Sequence, residues 1–432
     1  MILRLTDEQD KALLKLNHWL RSSDPECKLA GYAGTGKTTI LAHWIRTEGL
    51  DPVVCAPTAK AALVLRRKLN MPLLRIGTIH SYLYTPKSSS RHNLNLMEAK
   101  LASMAVGSEA SFALQEQINR ERRNQIKGKM SFALKEGEDQ SQTDLIIVDE
   151  ASMVTRQMHK DLFERARKVL YVGDEAQLPP VGDSGFFHKT DADIRLEHIH
   201  RQALDNPIIA LAQMIREGCE PSSYRHPGCE LRRKSQMAPE EYLEADQVLI
   251  GSNYGRHKLN RFFRERLWGP GYARASLLMP GERVVCKQNA MKTDPALVNG
   301  ALFAVETDEP LAAWKFDTSR KPYRPVKHPV EGALLKYGDD DFTFAEIFLG
   351  LLIGNYHEDI EHVDQSIMLD SNVRYGLGCL DFDYSYGITV HSSQGSEWNK
   401  VVLCDDWNGN DRKRWLYTAV TRARESLIWV KN

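Results

Sequence analysis

Apolar and polar positions near the start of the chain switch between helical and extended spacing. Leu13, Leu16 and Leu20 fall on one face of a helix predicted over Thr6 to Leu20, and Thr6 with Gln9 has capping-box spacing. A short strand at Cys27 to Ala30 runs into a glycine-rich turn, and a second helix starts at Lys37. Val53 to Ala56 reads as a strand and Ala59 to Leu69 as the helix after it. Asp144 to Val148 and Lys168 to Val172 are short apolar runs that end in acidic residues or in Gly-Asp. Strands alternating with helices predict a mostly parallel sheet, with chemistry gathered at the carboxyl ends of the strands.

Between Tyr84 and Thr143 this pattern breaks. Leu94, Met97, Leu101 and Met104 keep helical spacing, but the segment is rich in Ser and Gln. Ile118 to Lys129 carries Arg120, Arg122, Arg123, Lys127 and Lys129 against one acid, Glu121, which by itself reads as a solvated helical face. A second alternating region begins near Arg195, with a helix over Asn206 to Glu217, a strand at Gln247 to Ile250 and a basic helix over Tyr254 to Leu267. From Gly300 to Tyr375 the texture is Pro-, Asp- and turn-rich, which predicts a small β insertion. The alternation then returns with a strand at Ile388, a strand at Val401 to Cys404, a helix over Arg412 to Arg424 and a strand at Leu427 to Val430. The predicted architecture is α/β: one domain over 1–83 and 144–194 interrupted by 84–143, and a second over 195–299 and 376–432 interrupted by 300–375.

Length agrees, since 432 residues at about 150 per domain exceed one continuous core. A hydrophobic share of 42% and a charged share of 26% are those of a folded chain. Fifty-seven basic residues balance fifty-seven acidic ones, so a polyanion must be held by local placement of charge and not by a global field. The longest apolar run, Ile347 to Ile353, is far short of the ~20 residues that span a bilayer, and the amino terminus lacks the features of a secretory signal. Seven cysteines without a CxxC pair fit reduced thiols. A soluble, cytoplasmic protein is expected.

The chemistry-bearing strings sit at the predicted strand ends. Gly31 to Thr39, GYAGTGKTT, matches G-x-x-x-x-G-K-[ST] with a strand before it and a helix after it. Small residues there let consecutive backbone N–H groups turn toward phosphate oxygens, and the helix amino end adds favourable potential. Lys37 is placed to reach β- and γ-phosphates, and the Thr38 hydroxyl to ligate magnesium. Asp149 and Glu150 follow a strand directly and are expected to diverge by the pleat. Asp149 then suits the metal, and Glu150 suits orienting or deprotonating an attacking water. Alone such a pair is a solvated turn; beside a phosphate loop it is functional. Gly173 to Gly182, GDEAQLPPVG, offers Gln177 to a γ-phosphate oxygen and a water, with Pro179 and Pro180 stiffening the loop, though it also reads as a rigid turn closing the sheet. Arg201 and Arg422 flank the second α/β region. An arginine delivered from a second domain is worth roughly 10³–10⁵ in phosphoryl-transfer rate.

Taken in order, these strings resemble superfamily 1 helicases, and more narrowly the RecD/Dda branch, superfamily 1B. LTDEQ, the phosphate loop, APTAKAA (Ala56 to Ala62), GTIHSYL (Gly77 to Leu83), VDEAS, GDEAQLPPVG, HRQ, TVHSSQGSEW (Thr389 to Trp398) and YTAVTRAR (Tyr417 to Arg424) run through almost the whole chain. The resemblance implies two RecA-like domains, a helical or hairpin insertion in the first (1B) and an SH3-like β insertion in the second (2B). It implies an ATP-driven DNA helicase moving 5′ to 3′ on single-stranded DNA, using ATP and Mg2+, and standing alone as a monomer like the Dda-type enzymes of phage or bacteria. Replication or recombination proteins, such as a single-strand-binding protein, are the implied partners.

The implied roles follow residue by residue. Gln9 reads adenine, although its alternative is the capping contact; Gly34, Thr35, Gly36, Lys37, Thr38 and Thr39 hold phosphates; Glu397 meets the ribose. Arg201 and Arg422 become cleft arginines. Pro57, Thr58, Thr78, His80, Thr389 and His391 face the strand, with His80 equally readable as a core histidine. Phe132 is the candidate wedge, or a core residue. The branch often carries Lys where Ser392 stands, which removes one phosphate-facing cation. An RNA motor on the same scaffold and a non-motor nucleotide switch are the alternatives; the second set of motifs argues against the switch.

Overall fold

The structure, a computed structural model, describes residues 5–86, 132–135, 143–188, 191–197, 206–270, 277–287, 297–307, 311–312, 315–317, 324–326, 333–337, 341–345, 347–348 and 380–431. The first α/β unit opens with α1 (Asp7–Arg21), whose capping box forms as the sequence predicts: Thr6 Oγ1 accepts the Gln9 backbone N–H, and Gln9 Oε1 accepts that of Thr6. Strands β1 (Glu26–Gly31), β2 (Val53–Ala56), β3 (Arg75–Thr78), β4 (Thr143–Val148), β5 (Ala166–Gly173) and β6 (Ile194–Leu196) form one sheet in the order β3-β2-β4-β5-β1-β6, parallel throughout. Helices α2 (Lys37–Thr47), α3 (Ala59–Leu69), α4 (Ile79–Leu83) and α5 (Arg156–Phe163) complete the unit. Cores lie on both faces of the sheet, which is why its strands are continuous apolar runs and not alternating ones.

Strand β6 hydrogen-bonds to β1, so the first sheet extends to Leu196 and the boundary expected at 194/195 moves past it. Of the insertion 84–143, a short antiparallel pair, Tyr84–Pro86 with Phe132–Leu134, is described. Phe132, the candidate wedge, opens the second strand of that pair, while most of the insertion, and Arg201 with its surroundings, lie outside the described residues.

In the second unit α6 (Pro207–Arg216) precedes strands β7 (Arg225–His226), β8 (Cys229–Arg233) and β9 (Gln247–Ile250), then α7 (Asn253–Trp268). An antiparallel-rich sheet follows, made of β10 (Arg283–Cys286), β11 (Leu302–Val305), β12 (Ala333–Tyr337), β13 (Asp341–Ala345), β14 (Ile347–Phe348) and β15 (Leu380–Tyr384). The chain returns through β16 (Gly387–Thr389), β17 (Trp398–Asp405), α8 (Arg412–Val420) and β18 (Ala423–Lys431). The second sheet has the order β16-β9-β17-β18-β8-β7, parallel except at its β7 edge.

The second unit departs from the sequence expectation at two places. The β insertion was expected over 300–375, but its sheet starts at β10 and ends at β15, because Val284 to Cys286 pair with both β11 and β15. Its core is continuous with that of the second unit: Val248 and Phe263 pack in one cluster with Val284, Phe303, Leu335 and Phe382. The helix expected over Arg412 to Arg424 stops at Val420. Thr421 Oγ1 donates back to the Tyr417 and Thr418 carbonyls, and β18 must fill the place between β17 and β8. A central strand bonded on both sides outweighs the local helical pattern.

Candidate active site

The carboxyl end of β1 turns into the phosphate loop. Gly34 and Gly36 both hold φ near +81°, a conformation that costs a side-chain-bearing residue about 1–2 kcal/mol, so the loop can wrap with its N–H groups inward. Gly36 caps α2 in that left-handed state, and Lys37, Thr38 and Thr39 form the helix's first turn. The Lys37 ammonium is held by the carbonyls of Gly31 at 2.6 Å and Tyr32 at 3.0 Å. Thr35 is buried, and its hydroxyl donates to the Tyr32 carbonyl at 2.9 Å.

Asp149 and Glu150 leave β4 on the same side. The chain turns from Asp149 to Glu150 through a left-handed residue and not by a strand pleat: Glu150 has φ 53° and ψ 41°, one of three non-glycine residues in that region among those described. The Glu150 N–H donates to Asp149 Oδ1 at 2.9 Å. Burial pushes both carboxyls up, and Asp149 pushes Glu150 further; Lys37 opposes the rise at both, with Arg422 opposing it at Glu150.

A cavity of about 830 Å³ collects these groups. Gly34, Gly36, Lys37, Thr38, Thr39, Asp149, Glu150 and Gln177 line it from the first unit, and Glu397 and Arg422 line it from the second. Arg422 is buried, with its guanidinium held by the Thr418 carbonyl (2.9 Å), the Ser396 carbonyl (3.0 Å) and Thr421 Oγ1 (3.1 Å). It lies where the shortened α8 turns into β18. Burial raises the Glu397 carboxyl, but Lys68, Arg422 and Arg424 together bring it below its usual range, and Arg424 bonds it at 3.0 Å. Gln177 Oε1 is buried and has no hydrogen-bond partner among the described residues. Gln177 belongs to the lining of a cavity that already holds cations and carboxylates. An oxygen-binding divalent cation fits beside it, since Thr38 and Asp149 supply hard oxygen donors while a bound phosphate would supply others. Among the described residues no group of three His, Cys, Asp or Glu side chains is placed to hold a metal ion.

Gln9 stands behind the loop instead of in the cavity. Its Nε2 donates to the Thr35 carbonyl at 3.2 Å while its Oε1 serves the α1 cap, so one side chain braces helix and phosphate loop together. The strand-facing candidates lie at strand carboxyl ends. Thr58 follows β2 and caps α3, Thr78 ends β3 and caps α4, and Thr389 ends β16 and bonds Ser392. Pro57 is half-buried beside Thr58. His80 and His391 are half-buried, with burial lowering the proton affinity of each ring; His80 lies 5.3 Å from the Tyr84 ring and His391 5.4 Å from that of Trp407.

The sequence left two groups unassigned. Lys60, inside APTAKAA, lines the cavity with its ammonium 5.4 Å from the Trp398 ring centroid, and burial lowers it to about 8. Tyr417 and Thr418, inside YTAVTRAR, reach back to the first unit, as described below. Their signal was proximity to Arg422 in one short string, which spacing alone cannot connect to residues near the amino terminus.

A phosphate loop facing an arginine from a second parallel-sheet unit defines a two-lobed nucleotide-binding protein. The AAA domain family matches residues 4–228, and the UvrD-like helicase C-terminal domain matches 384–430. The chain therefore belongs to the AAA domain family, and its C-terminal segment is similar to the UvrD-like helicase C-terminal domain. The ATP-dependent RecD2 DNA helicase of Deinococcus radiodurans is 26% identical over 431 residues, covering 93% of this chain and 46% of that protein. An uncharacterised protein of Methanocaldococcus jannaschii is 28% identical over 190 residues, covering 41% of this chain and 13% of its own length. The chain thus spans about half, or less, of the curated relatives it matches. Its fold is similar to that of the Pif1 helicase from Candida albicans, with a TM-score of 0.50 at 17% identity over 100% of this chain and 96% of that one. A Pif1 helicase studied in unwinding at forked double-stranded DNA gives 0.52 at 17%, over 99% and 92%. These similarities bear out the two RecA-like units. No helix among the described residues is long and apolar enough to cross a membrane.

Proposed function

We propose that this chain is an ATP-driven DNA helicase that translocates 5′ to 3′ on single-stranded DNA and separates duplex, acting as a monomer at single-strand–duplex junctions. The observation that carries the reading is the meeting of Arg422, from the second unit, with Lys37, Asp149 and Glu150 of the first in one cavity. Polarity, monomeric action and cooperation with a single-strand-binding protein come from the family resemblance.

The site residues divide the work. The loop from Gly34 to Thr39 cradles the phosphates, with Lys37 exchanging its two carbonyl partners for phosphate oxygens. Thr38 and Asp149 hold magnesium, which when bound neutralises charge on the β- and γ-oxygens. Glu150, raised by burial, takes a proton from the attacking water, and the unpartnered Gln177 oxygen orients that water. Arg422, with Arg201, stabilises charge on the transferred group. Glu397 meets the ribose, and Gln9 meets adenine by exchanging its bond to Thr35. Pro57, Thr58, Thr78, His80, Thr389 and His391 line the path of the DNA strand, with Phe132 as the wedge. Hydroxyl and backbone contacts suit a sliding grip, because base reading would act as a brake.

The test is ATP turnover and unwinding on DNA and RNA substrates with 5′ or 3′ overhangs, with Lys37→Ala as the inactive control. The expected result is turnover stimulated at least about tenfold by single-stranded DNA, unwinding from 5′ overhangs, and neither activity in Lys37→Ala. Stimulation by RNA alone would move the substrate to RNA. Turnover indifferent to both nucleic acids would favour a nucleotide switch, and full turnover by Lys37→Ala would overturn the site.

A further inference from the structure

On α8, five residues before Arg422, the Tyr417 side chain is buried between two loops of the first unit. Its hydroxyl accepts the backbone N–H of Ala33, in the phosphate loop, at 3.2 Å. The same hydroxyl donates to Asp174 Oδ2, at the head of the 173–182 loop, at 2.8 Å. Thr418 continues the grip, its Oγ1 accepting the Leu178 N–H at 3.0 Å, and Gln394 Nε2 donates to the Leu178 carbonyl at 3.1 Å. The Tyr32 ring, next to Ala33 in the phosphate loop, is covered by the Arg216 guanidinium of α6 at 3.6 Å. The second unit therefore holds the first by Tyr32 and Ala33, two positions that the phosphate-loop pattern leaves open.

We infer that the Tyr417 hydroxyl is a positioning group, a latch that ties the phosphate loop and Asp174 to α8 and so sets where Arg422 stands in the cleft. The inference rests on the nucleotide reading proposed above. A phenol donates and accepts through one oxygen, so it alone spans an N–H donor and a carboxylate acceptor here; a phenyl ring of the same outline spans neither. Tyr417 does not line the cavity that holds Lys37 and Glu150, so its effect on them passes through the loops it joins. Arg422 is bonded to the Thr418 carbonyl, one residue from the latch, so a displacement of α8 moves both. Nucleotide-driven movement of the phosphate loop would then be felt at α8 through Ala33, and closure at α8 would order the phosphate loop in return.

Tyr417→Phe removes the bridge and keeps the ring. Three measurements decide the matter: amide hydrogen exchange at Ala33 in nucleotide-free protein, ADP affinity, and steady-state ATP turnover at saturating single-stranded DNA. The latch predicts about tenfold faster exchange at Ala33, about tenfold lower kcat, and ADP affinity within about twofold of the parent. Wild-type kcat, a loss confined to KM for ATP, or a kcat loss with unaltered exchange at Ala33 would each overturn it. Absence of turnover in the parent protein would instead defeat the nucleotide reading, and the exchange measurement alone would then decide the latch.

Discussion

Glu150 shows at a single position how function and stability oppose each other. Its left-handed backbone is one that β-branched and long side chains avoid, at a cost of order 1–3 kcal/mol, and its carboxyl is raised by burial and by the charge of Asp149. A glycine would relieve the backbone and remove the carboxyl. Glu150→Gly is therefore expected to raise the unfolding free energy by ~1 kcal/mol in denaturant titration, while ATP turnover falls at least about a hundredfold. A variant less stable than the parent would show that the turn carries no strain. The acidic pair was legible because the VDEAS string follows an apolar strand; the turn that aims it was not, since Glu has no intrinsic preference for positive φ.

Among the elements, the strand-to-helix junctions repeat one device. Thr58 Oγ1 accepts the Ala61 N–H at 3.2 Å and Thr78 Oγ1 accepts the Ser81 N–H at 2.9 Å, so two hydroxyls proposed to face nucleic acid also start helices. Thr58→Ala is expected to cost ~1 kcal/mol of stability and to weaken binding of a fluorescent single-stranded oligonucleotide. Thr58→Ser, which keeps the cap, should retain both; full stability in Thr58→Ala would mean the cap contributes nothing. Capping residues are readable from sequence because the bond they make spans three residues. The end of α8 departs from its local pattern for the opposite reason: Thr418 to Arg424 keeps a helical texture, and only pairing with Trp398 to Asp405 turns its second half into strand.

In the whole molecule, the antiparallel sheet is fastened to the second unit by a shared core and a buried ion pair. Arg264 of α7 donates through Nε to Glu282 Oε1 at 2.6 Å, and Glu282 also accepts the Met279 N–H at 2.9 Å. Both charged side chains are almost fully enclosed, at 1% and 0% exposure, so removing one strands the other in a dry interior. Arg264→Leu is expected to lower the unfolding free energy by ~3–5 kcal/mol, and Arg264→Leu with Glu282→Leu to recover part of that loss. Denaturant midpoints at constant slope would measure both; a double variant weaker than the sum of the single ones would contradict the pairing.

The phosphate loop, the acidic pair and the Gln177 loop could be found in the sequence because each is a short string whose strand, turn and helix preferences act within a few residues. The order of those strings was enough to indicate two parallel-sheet units. Tertiary structure alone decided which strings meet: Ala33 and Tyr417 lie 384 residues apart and touch only because both sheets aim their carboxyl ends at one cleft. It likewise decided that β10 to β15 share a core with the second unit, since local spacing marks a strand but not the partner it packs on. Local sequence sets conformation over a turn or two, whereas distant contacts follow from how whole layers bury their faces.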